Sequence, residues 1–311
     1  MYKFLCFLLI LSSFLKAETY QTADDINKIN IATINTLLIF TSQEGLNSGI
    51  YHFTNTPLDT DMQIYHLPFT YNFTSNTNIN YFIVGNLGYS KVTLAGEVQN
   101  DSSSSILKYF NQILTYTFGI GGGLRYSFSD NAFISFGSEL IYSRAGVSVR
   151  NPDGNLGDIV EDFFNDNYSN NLTYKFFTLA EYRPVVNEFK PYISASYKLY
   201  ETKSSFALDE LVKFDSESSV ATVAIGVETP KLFTYNEHNN VTLETYIHGH
   251  YLSGVVEDIV KFKTYGSIGG VAYYNTEKNP WWASRFFLEL NSVFSDGLSG
   301  YNVGVGFTLD F

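Results

Sequence analysis

Long stretches of this chain alternate apolar and polar residues with a period of two. The clearest stretch covers residues 300–311, where one parity carries the aromatic and aliphatic residues Tyr301, Val303, Val305, Phe307, Leu309 and Phe311. The other parity carries only small or polar residues. Because successive side chains of a strand point to opposite faces, this pattern predicts a strand that separates lipid from a polar interior.

The same alternation recurs in most segments from Met62 onward. Residues 112–128 place aromatic and aliphatic side chains on one face, and Arg125 and three glycines on the other. A short turn at 129–131 leads into residues 132–142, with Glu139 on the polar face. Further segments of this kind occupy 62–73, 79–94, 172–182, 192–200, 220–228, 241–251, 264–274 and 281–294. The pattern predicts an all-β fold, a transmembrane antiparallel up-and-down barrel of about twelve strands.

The connections between these segments alternate in length. Those at 129–131, 183–191, 230–240 and 275–280 are mostly short, and those at 94–111, 144–171, 203–218 and 253–263 are mostly long. Outer-membrane barrels have short periplasmic turns and longer external loops. We therefore expect the long connections, which include acidic segments at 158–166 and 209–217, to face the cell exterior.

The N-terminal residues have the pattern of a secretory signal peptide. Lys3 precedes an apolar run at 4–15, and Ala17 closes the segment before Glu18, which predicts cleavage after residue 17. No later run approaches the roughly 20 apolar residues of a membrane helix. We expect one domain at 18–311, a barrel preceded by a short segment at 18–36 that lies in or under it.

Two structures are compatible with the sequence that follows the signal. Asp24 and Asp25 could cap a helix, whereas residues 33–41 could equally be extended. The first strand is expected either near 37–41 or near 49–53.

Composition narrows the class of protein further. Aromatic residues make up 17% of the chain, including 24 Tyr and 27 Phe, as aromatic girdles at two membrane interfaces would require. The formal charge of −12 becomes −14 once the signal takes Lys3 and Lys16 away, which disfavours a nucleic-acid partner. The single cysteine, Cys6, lies in the signal, so disulfides and cysteine metal sites are not expected.

The last strand also carries a recognisable spacing. Gly304, Phe307, Leu309 and Phe311 resemble the C-terminal signal by which bacterial outer-membrane barrels are recognised and inserted. With the signal peptide and about a dozen amphipathic strands, the chain resembles a solitary autotransporter-like barrel without a passenger domain. The resemblance implies a bacterial outer-membrane location, with membrane lipid, lipopolysaccharide and the barrel-insertion machinery as partners. It implies little about the task.

Several charged and polar residues share the parity expected to face the lumen: Arg125, Glu139, Glu244, His248, His250, Arg285 and Glu289. Such residues could line a pore, but we favour mutual charge pairing that fills a narrow interior, because charges facing lipid are costly. Two histidines and Glu244 on one strand face could hold zinc. Without a further strong ligand in the sequence, we predict no metal site and no cofactor.

Catalytic chemistry has only weak candidates. Outer-membrane hydrolases pair a serine with a histidine, and His66 or His248 could serve, but no Gly-x-Ser-x-Gly elbow selects a nucleophile. We predict no catalytic residues and a non-enzymatic, structural or surface-interaction role. The alternative is a small porin or substrate channel.

Overall fold

The computed structural model describes residues 47–53, 60–73, 77–99, 106–150, 168–206, 214–236, 239–255, 257, 262–276 and 283–310. These contain thirteen strands: β1 (Asn47–Phe53), β2 (Thr60–Phe73), β3 (Ile79–Gln99), β4 (Ile106–Ser129), β5 (Ala132–Arg150), β6 (Tyr168–Tyr182), β7 (Lys190–Phe206), β8 (Phe214–Glu228), β9 (Phe233–Asn236), β10 (Asn239–Gly254), β11 (Thr264–Thr276), β12 (Ala283–Ser295) and β13 (Leu298–Asp310). The predicted signal peptide, the segment at 18–36 and Phe311 lie outside the described residues.

Twelve of these strands form a closed antiparallel barrel, which confirms the predicted fold class. Each barrel strand pairs with its neighbours in the chain, and β1 pairs with β13 to close the wall, with Ser48 opposite Val303. The thirteenth, β9, is a short strand in the connection from β8 to β10, and it pairs with β10. Within the described part of the chain, no helix has the length and apolarity needed to cross a membrane.

The closure has a second component at the far end of β13. There, Leu309 pairs with Tyr71 and Asp310 with Asn72, so β13 meets β2 in a short parallel pairing. Nearer the start of β13, β1 lies between β13 and β2 and pairs with β2 from Thr60 to Ile64. The first and last barrel strands are thus joined over only part of the barrel height.

The alternation places the apolar residues on the outside of the wall. On β4, Tyr116, Phe118 and Ile120 are exposed, whereas Thr115 and Thr117, on the other parity, are buried. Tyrosines of adjacent strands pack in tilted pairs on this outer face, with ring centroids 6.0 Å apart for Tyr65 and Tyr89 and 5.2 Å apart for Tyr89 and Tyr116. An apolar outer band and a polar interior are the reverse of a soluble barrel and are typical of a lipid-facing wall.

The interior differs between the two ends of the barrel. We call the end with the Asp130–Asn131 turn the turn end, and the opposite end, where β3, β5 and β7 finish, the loop end. In the loop half, buried polar side chains such as Ser143 and Thr202 are accompanied by a cluster of buried apolar side chains from strands around the circumference. Its members are Tyr51, Met62, Ile64, Val92, Ile113, Ile141, Ala145, Tyr200, Val220, Leu252, Phe262, Tyr265, Val293 and Leu298. The turn half contains a cavity.

Strand boundaries differ from the predicted ones. The first strand is Asn47–Phe53, close to the second of the two predicted positions. Strands β5 and β6 extend to Arg150 and from Tyr168, and β7 and β8 extend to Phe206 and from Phe214, so the connections are shorter than predicted. Their polar inner residues, such as Ser169 and Asn171, resemble loop residues in the sequence but face the barrel interior and are buried.

Candidate functional site

A cavity of about 730 Å³ occupies the turn half of the lumen. The seven polar residues predicted to face the lumen all line it: Arg125, Glu139, Glu244, His248, His250, Arg285 and Glu289. They come from β4, β5, β10 and β12, so they approach the cavity from different sides of the barrel. Three of the four predicted insertion-signal residues, Gly304, Phe307 and Leu309, lie on β13, where Gly304 pairs with Glu289 and Phe307 lies at the cavity.

Glu228, at the end of β8, is the centre of the charge network, although the sequence analysis did not single it out. Its carboxylate is buried and accepts hydrogen bonds from Arg285 at 2.6 Å and from Thr242 at 3.0 Å. Arg183 and Lys190 lie 3.4 and 3.8 Å from it. One feature of the sequence could have identified Glu228. Its even position within 220–228 places it among the residues of that strand that face inward.

A second carboxylate, Glu244 on β10, shares a cation with Glu228. The guanidinium of Arg183 donates to Glu244 at 3.1 Å and also to Glu181 at 2.8 Å. The hydroxyl of Tyr192 donates to the other oxygen of Glu244 at 2.9 Å. The two bonds to Glu244 connect parts of the wall that are not adjacent, and so they stabilise its curved shape.

The remaining buried carboxylates are satisfied separately. Glu139 accepts a hydrogen bond from the amide of Asn86 and pairs with the ammonium of Lys175 at 2.9 Å. Glu289 accepts a hydrogen bond from the hydroxyl of Tyr246. Burying a carboxylate without such partners would be strongly unfavourable, so these contacts explain how charged residues are tolerated here.

Four of the cations lie over aromatic rings at the cavity wall. The guanidinium carbon is 3.5 Å from the ring centroid of Tyr273 for Arg285, 4.1 Å from Tyr192 for Arg183 and 4.3 Å from Phe133 for Arg125. Lys175 lies 5.4 Å from the centroid of Phe177. Stacking holds a guanidinium flat and leaves its edge free to bind a planar anion.

His248 and His250 belong to a row of stacked rings on β10 and β11. His248 stacks on Tyr246 at 4.2 Å, and His250 stacks on Tyr265 at 4.1 Å. No group of three His, Cys, Asp or Glu residues that could hold a metal ion occurs among the residues that the structure describes. Glu244 is instead bound to Arg183 and Tyr192.

The geometry around the histidines also bears on catalysis. His250 lies 3.0 Å from Thr222 and 3.3 Å from Ser267, but Ser267 has no exposed surface. Among the described residues, no carboxylate contacts His250 to orient its ring, as a catalytic triad requires. The described contacts of His250 are hydrogen bonds to Thr222 and Ser267 and stacking on Tyr265.

Comparison with known proteins gives a match in fold only. No protein-family model and no curated protein matches the sequence. The structure resembles the translocator domain of the autotransporter NalP from Neisseria meningitidis, with a TM-score of 0.61, 12% identity and coverage of 96% of this chain and 100% of that one. This chain has the fold of an autotransporter translocator barrel.

Two further barrels have the same architecture. The transport unit of the autotransporter AIDA-I from Escherichia coli matches with a TM-score of 0.55 and 11% identity over 92% of this chain and 99% of its own. The β domain of the Bordetella autotransporter BrkA matches with a TM-score of 0.52 and 8% identity over 86% and 99%. All three likenesses show that this chain shares the closed antiparallel barrel fold of these translocator domains.

Proposed function

We propose that this protein is a closed, non-enzymatic barrel of the bacterial outer membrane with a structural or surface-interaction role. The observation that carries the proposal is the buried apolar cluster in the loop half of the lumen. In an open porin, water fills the channel and meets the inner wall. Here Tyr51, Met62, Tyr200 and Leu252, which come from four different strands, are each only 1% exposed.

The paired charges of the turn half support the same function. Among the described residues, each glutamate that lines the cavity accepts a hydrogen bond from a neighbouring side chain or forms an ion pair with one. We therefore expect these charges to stabilise the wall. In this proposal the turn end faces the periplasm, the loop end faces outward, and residues Gly304, Phe307, Leu309 and Phe311 engage the insertion machinery.

The cavity favours a second candidate function, a small substrate channel. A volume of about 730 Å³ would accommodate a small solute. Passage to the other side would require the apolar cluster to move. The two candidates therefore differ in whether the wild-type barrel conducts ions steadily.

Planar-bilayer recording of the refolded protein separates them. We expect no steady stepwise conductance from the wild type, and its presence would support the channel instead. Replacing Tyr51, Met62, Tyr200 and Leu252 together by alanine should open the loop half and create conductance. The matched control replaces the outward-facing Tyr65, Tyr116, Tyr197 and Tyr301 by alanine, which should leave the barrel closed.

A further inference from the structure

The strand pairing of the barrel wall changes at one place in the turn half. β1 pairs with β13 only as far as Gly304 and with β2 only as far as Ile64. Beyond β1, the two outer strands of this trio meet directly at their short parallel pairing. Over residues 305–308 of β13 and 65–70 of β2, no pairing across this side of the wall occurs in the described part of the chain. We call this gap the seam.

The seam is a tapered slot about as wide as one strand. Where β1 ends, β13 and β2 lie on either side of it, so their backbones are roughly 10 Å apart. At the parallel pairing the same backbones are about 5 Å apart. The slot runs from Gly304 to Leu309, which is about 17 Å of extended strand. An extended hydrocarbon chain is no thicker than a strand, so its dimensions fit this slot.

The lumen cavity reaches the outer face of the wall at the seam. Phe69 of β2 and Phe307 of β13 belong to the outer face, where they are 40% and 41% exposed. Both nevertheless line the cavity. The ring of Phe69 lies over Gly85 of β3, and the ring of Phe307 packs against Phe286 of β12, with centroids 6.5 Å apart. Each ring therefore packs on the strand away from the seam, and the two rings flank its mouth.

The cavity wall next to the seam carries apolar side chains. Phe82 and Val84 of β3 and Phe287 of β12 line the cavity, and they lie on the strands next to β2 and β13. The inward positions of β13 beside the gap include Gly304 and Gly306, which have no side chain to fill it. Because hydrocarbon gains free energy when it leaves water for an apolar surface, this part of the cavity favours an apolar occupant.

Pro68 opposes closure of the seam by strand pairing. It lies on the edge of β2 that borders the seam, and it pairs with Asn86 on the other side. Proline has no N–H to donate to a further strand, and in sheets it occurs at edges and weakly paired positions. Backbone groups at an unpaired edge in a membrane need a polar partner. The seam borders a cavity with many polar side chains, from which water can reach these groups.

We infer that the seam is a lateral opening through which the acyl chain of a membrane phospholipid enters the turn-half cavity. The exposed apolar band brings lipid to the mouth of the seam, and the chain packs against Phe82, Val84 and Phe287. The headgroup stays outside, because the slot is only about as wide as one strand. Entry from the side avoids the apolar cluster of the loop half, so the barrel can be closed to ions along its axis. The inference requires the membrane location but not the structural role.

Photolabelling in phospholipid vesicles tests this inference. The refolded full-length barrel is reconstituted with a phospholipid that carries a diazirine in its acyl chain, and mass spectrometry locates the labelled residues after irradiation. Phe286 and Phe287 are a matched pair, because they are neighbours in the chain and face lipid and lumen respectively. We expect label at the lumen-facing Phe82 and Phe287 as well as at Phe286.

A cross-link over the seam should abolish the labelling of the lumen. Leu67→Cys and Val305→Cys introduce thiols at outer-face positions on either side of the seam, and a short bifunctional thiol reagent joins them. Cys6→Ser in every variant leaves only the introduced thiols. The control joins Leu124→Cys to Phe136→Cys, which occupy directly paired outer-face positions of β4 and β5. This second cross-link should leave the labelling of the lumen unchanged.

Each outcome decides the inference. Labelling of the lumen that the seam cross-link removes and the control cross-link preserves supports it. Labelling of Phe286 without Phe82 and Phe287 in the wild type overturns it. So does labelling of the lumen that survives the seam cross-link or is lost equally in the control. Heat-modifiable gel migration verifies folding, and if the first seam pair does not fold, Phe69→Cys with Phe307→Cys decides by the same criteria.

Discussion

Arg285 donates a hydrogen bond of 2.6 Å to the buried carboxylate of Glu228, although β10 and β11 separate their two strands in the wall. Arg183 and Lys190 approach the same carboxylate from another side. One acid thus joins residues of β7, β8 and β12, together with Arg183 just after β6. Contacts of this kind stabilise the curved shape of the barrel and not only the pairing of neighbouring strands.

Replacing Glu228 by glutamine should destabilise the barrel by about 1.5–3 kcal/mol, because the partly exposed cations around it lose their shared anion. The measurement is the midpoint of urea unfolding in lipid vesicles. The control is Glu217→Gln on the same strand, since Glu217 is exposed on the outer face. Equal midpoints for the two variants would show that the network is not a source of stability.

A close approach of two strands makes Gly121 sensitive to substitution. A Cβ atom at this position of β4 would contact the carbonyl oxygen of Ser138 and the Cα of Glu139 on β5. Gly121→Ala should therefore cost about 1–3 kcal/mol through overpacking.

Gly249 on β10 provides the matched control, because a Cβ there would meet nothing within 4 Å. Gly249→Ala should leave the urea midpoint unchanged or raise it slightly. If Gly121→Ala were as stable as Gly249→Ala, the two strands would have to move apart easily.

The lipid-facing surface can be tested at Ile247, near the middle of β10. Its side chain is 60% exposed on the outer wall. Ile247→Arg should cost about 2–4 kcal/mol if that face meets hydrocarbon, and it should reduce the folded fraction in vesicles. Tyr235→Arg on β9, in the connection from β8 to β10, should have little effect because the side chain is 88% exposed there. Similar folded fractions for both variants would indicate that water surrounds the barrel.

The orientation of the barrel can be tested with single cysteines at opposite ends. Asp130 and Asp296 are exposed residues of two short turns, at the turn end and the loop end respectively. In intact cells a membrane-impermeant maleimide should label Asp296→Cys, and it should label Asp130→Cys only after the outer membrane is permeabilised. The reverse pattern would invert the proposed topology.

Much of the barrel wall could be predicted, because the alternation of side chains depends only on residues that are neighbours in the chain. On β4, the parity of Tyr116 to Phe128 follows directly from alternation, and so does the inward placement of Arg125. On β11, the glycines at 266, 269 and 270 carry no side chain, so the sequence there does not show which residues face outward and which face inward. Pairing with β10 and β12 settles the register instead, for example Val271 opposite Glu244 and Glu289.

The partners of the lumen residues could not be predicted in the same way. Parity places Glu244 and Arg285 inside, but which cation reaches which acid depends on how the closed wall curves. Arg183 lies 61 positions before Glu244 in the sequence, and no spacing pattern relates them. The short strand β9 was also missed, because its few residues pair only through the fold of the connection that contains them.

The pairing of β13 with β2 also has a consequence for assembly. Leu309 and Tyr71 are separated by most of the barrel sequence, so their contact forms only after nearly all of the chain is available. Contacts between distant residues slow folding, and until closure the first and last strands present unpaired edges that favour aggregation. The rate-limiting event in refolding should therefore be the joining of the two ends, and slowing it should favour aggregation over productive insertion.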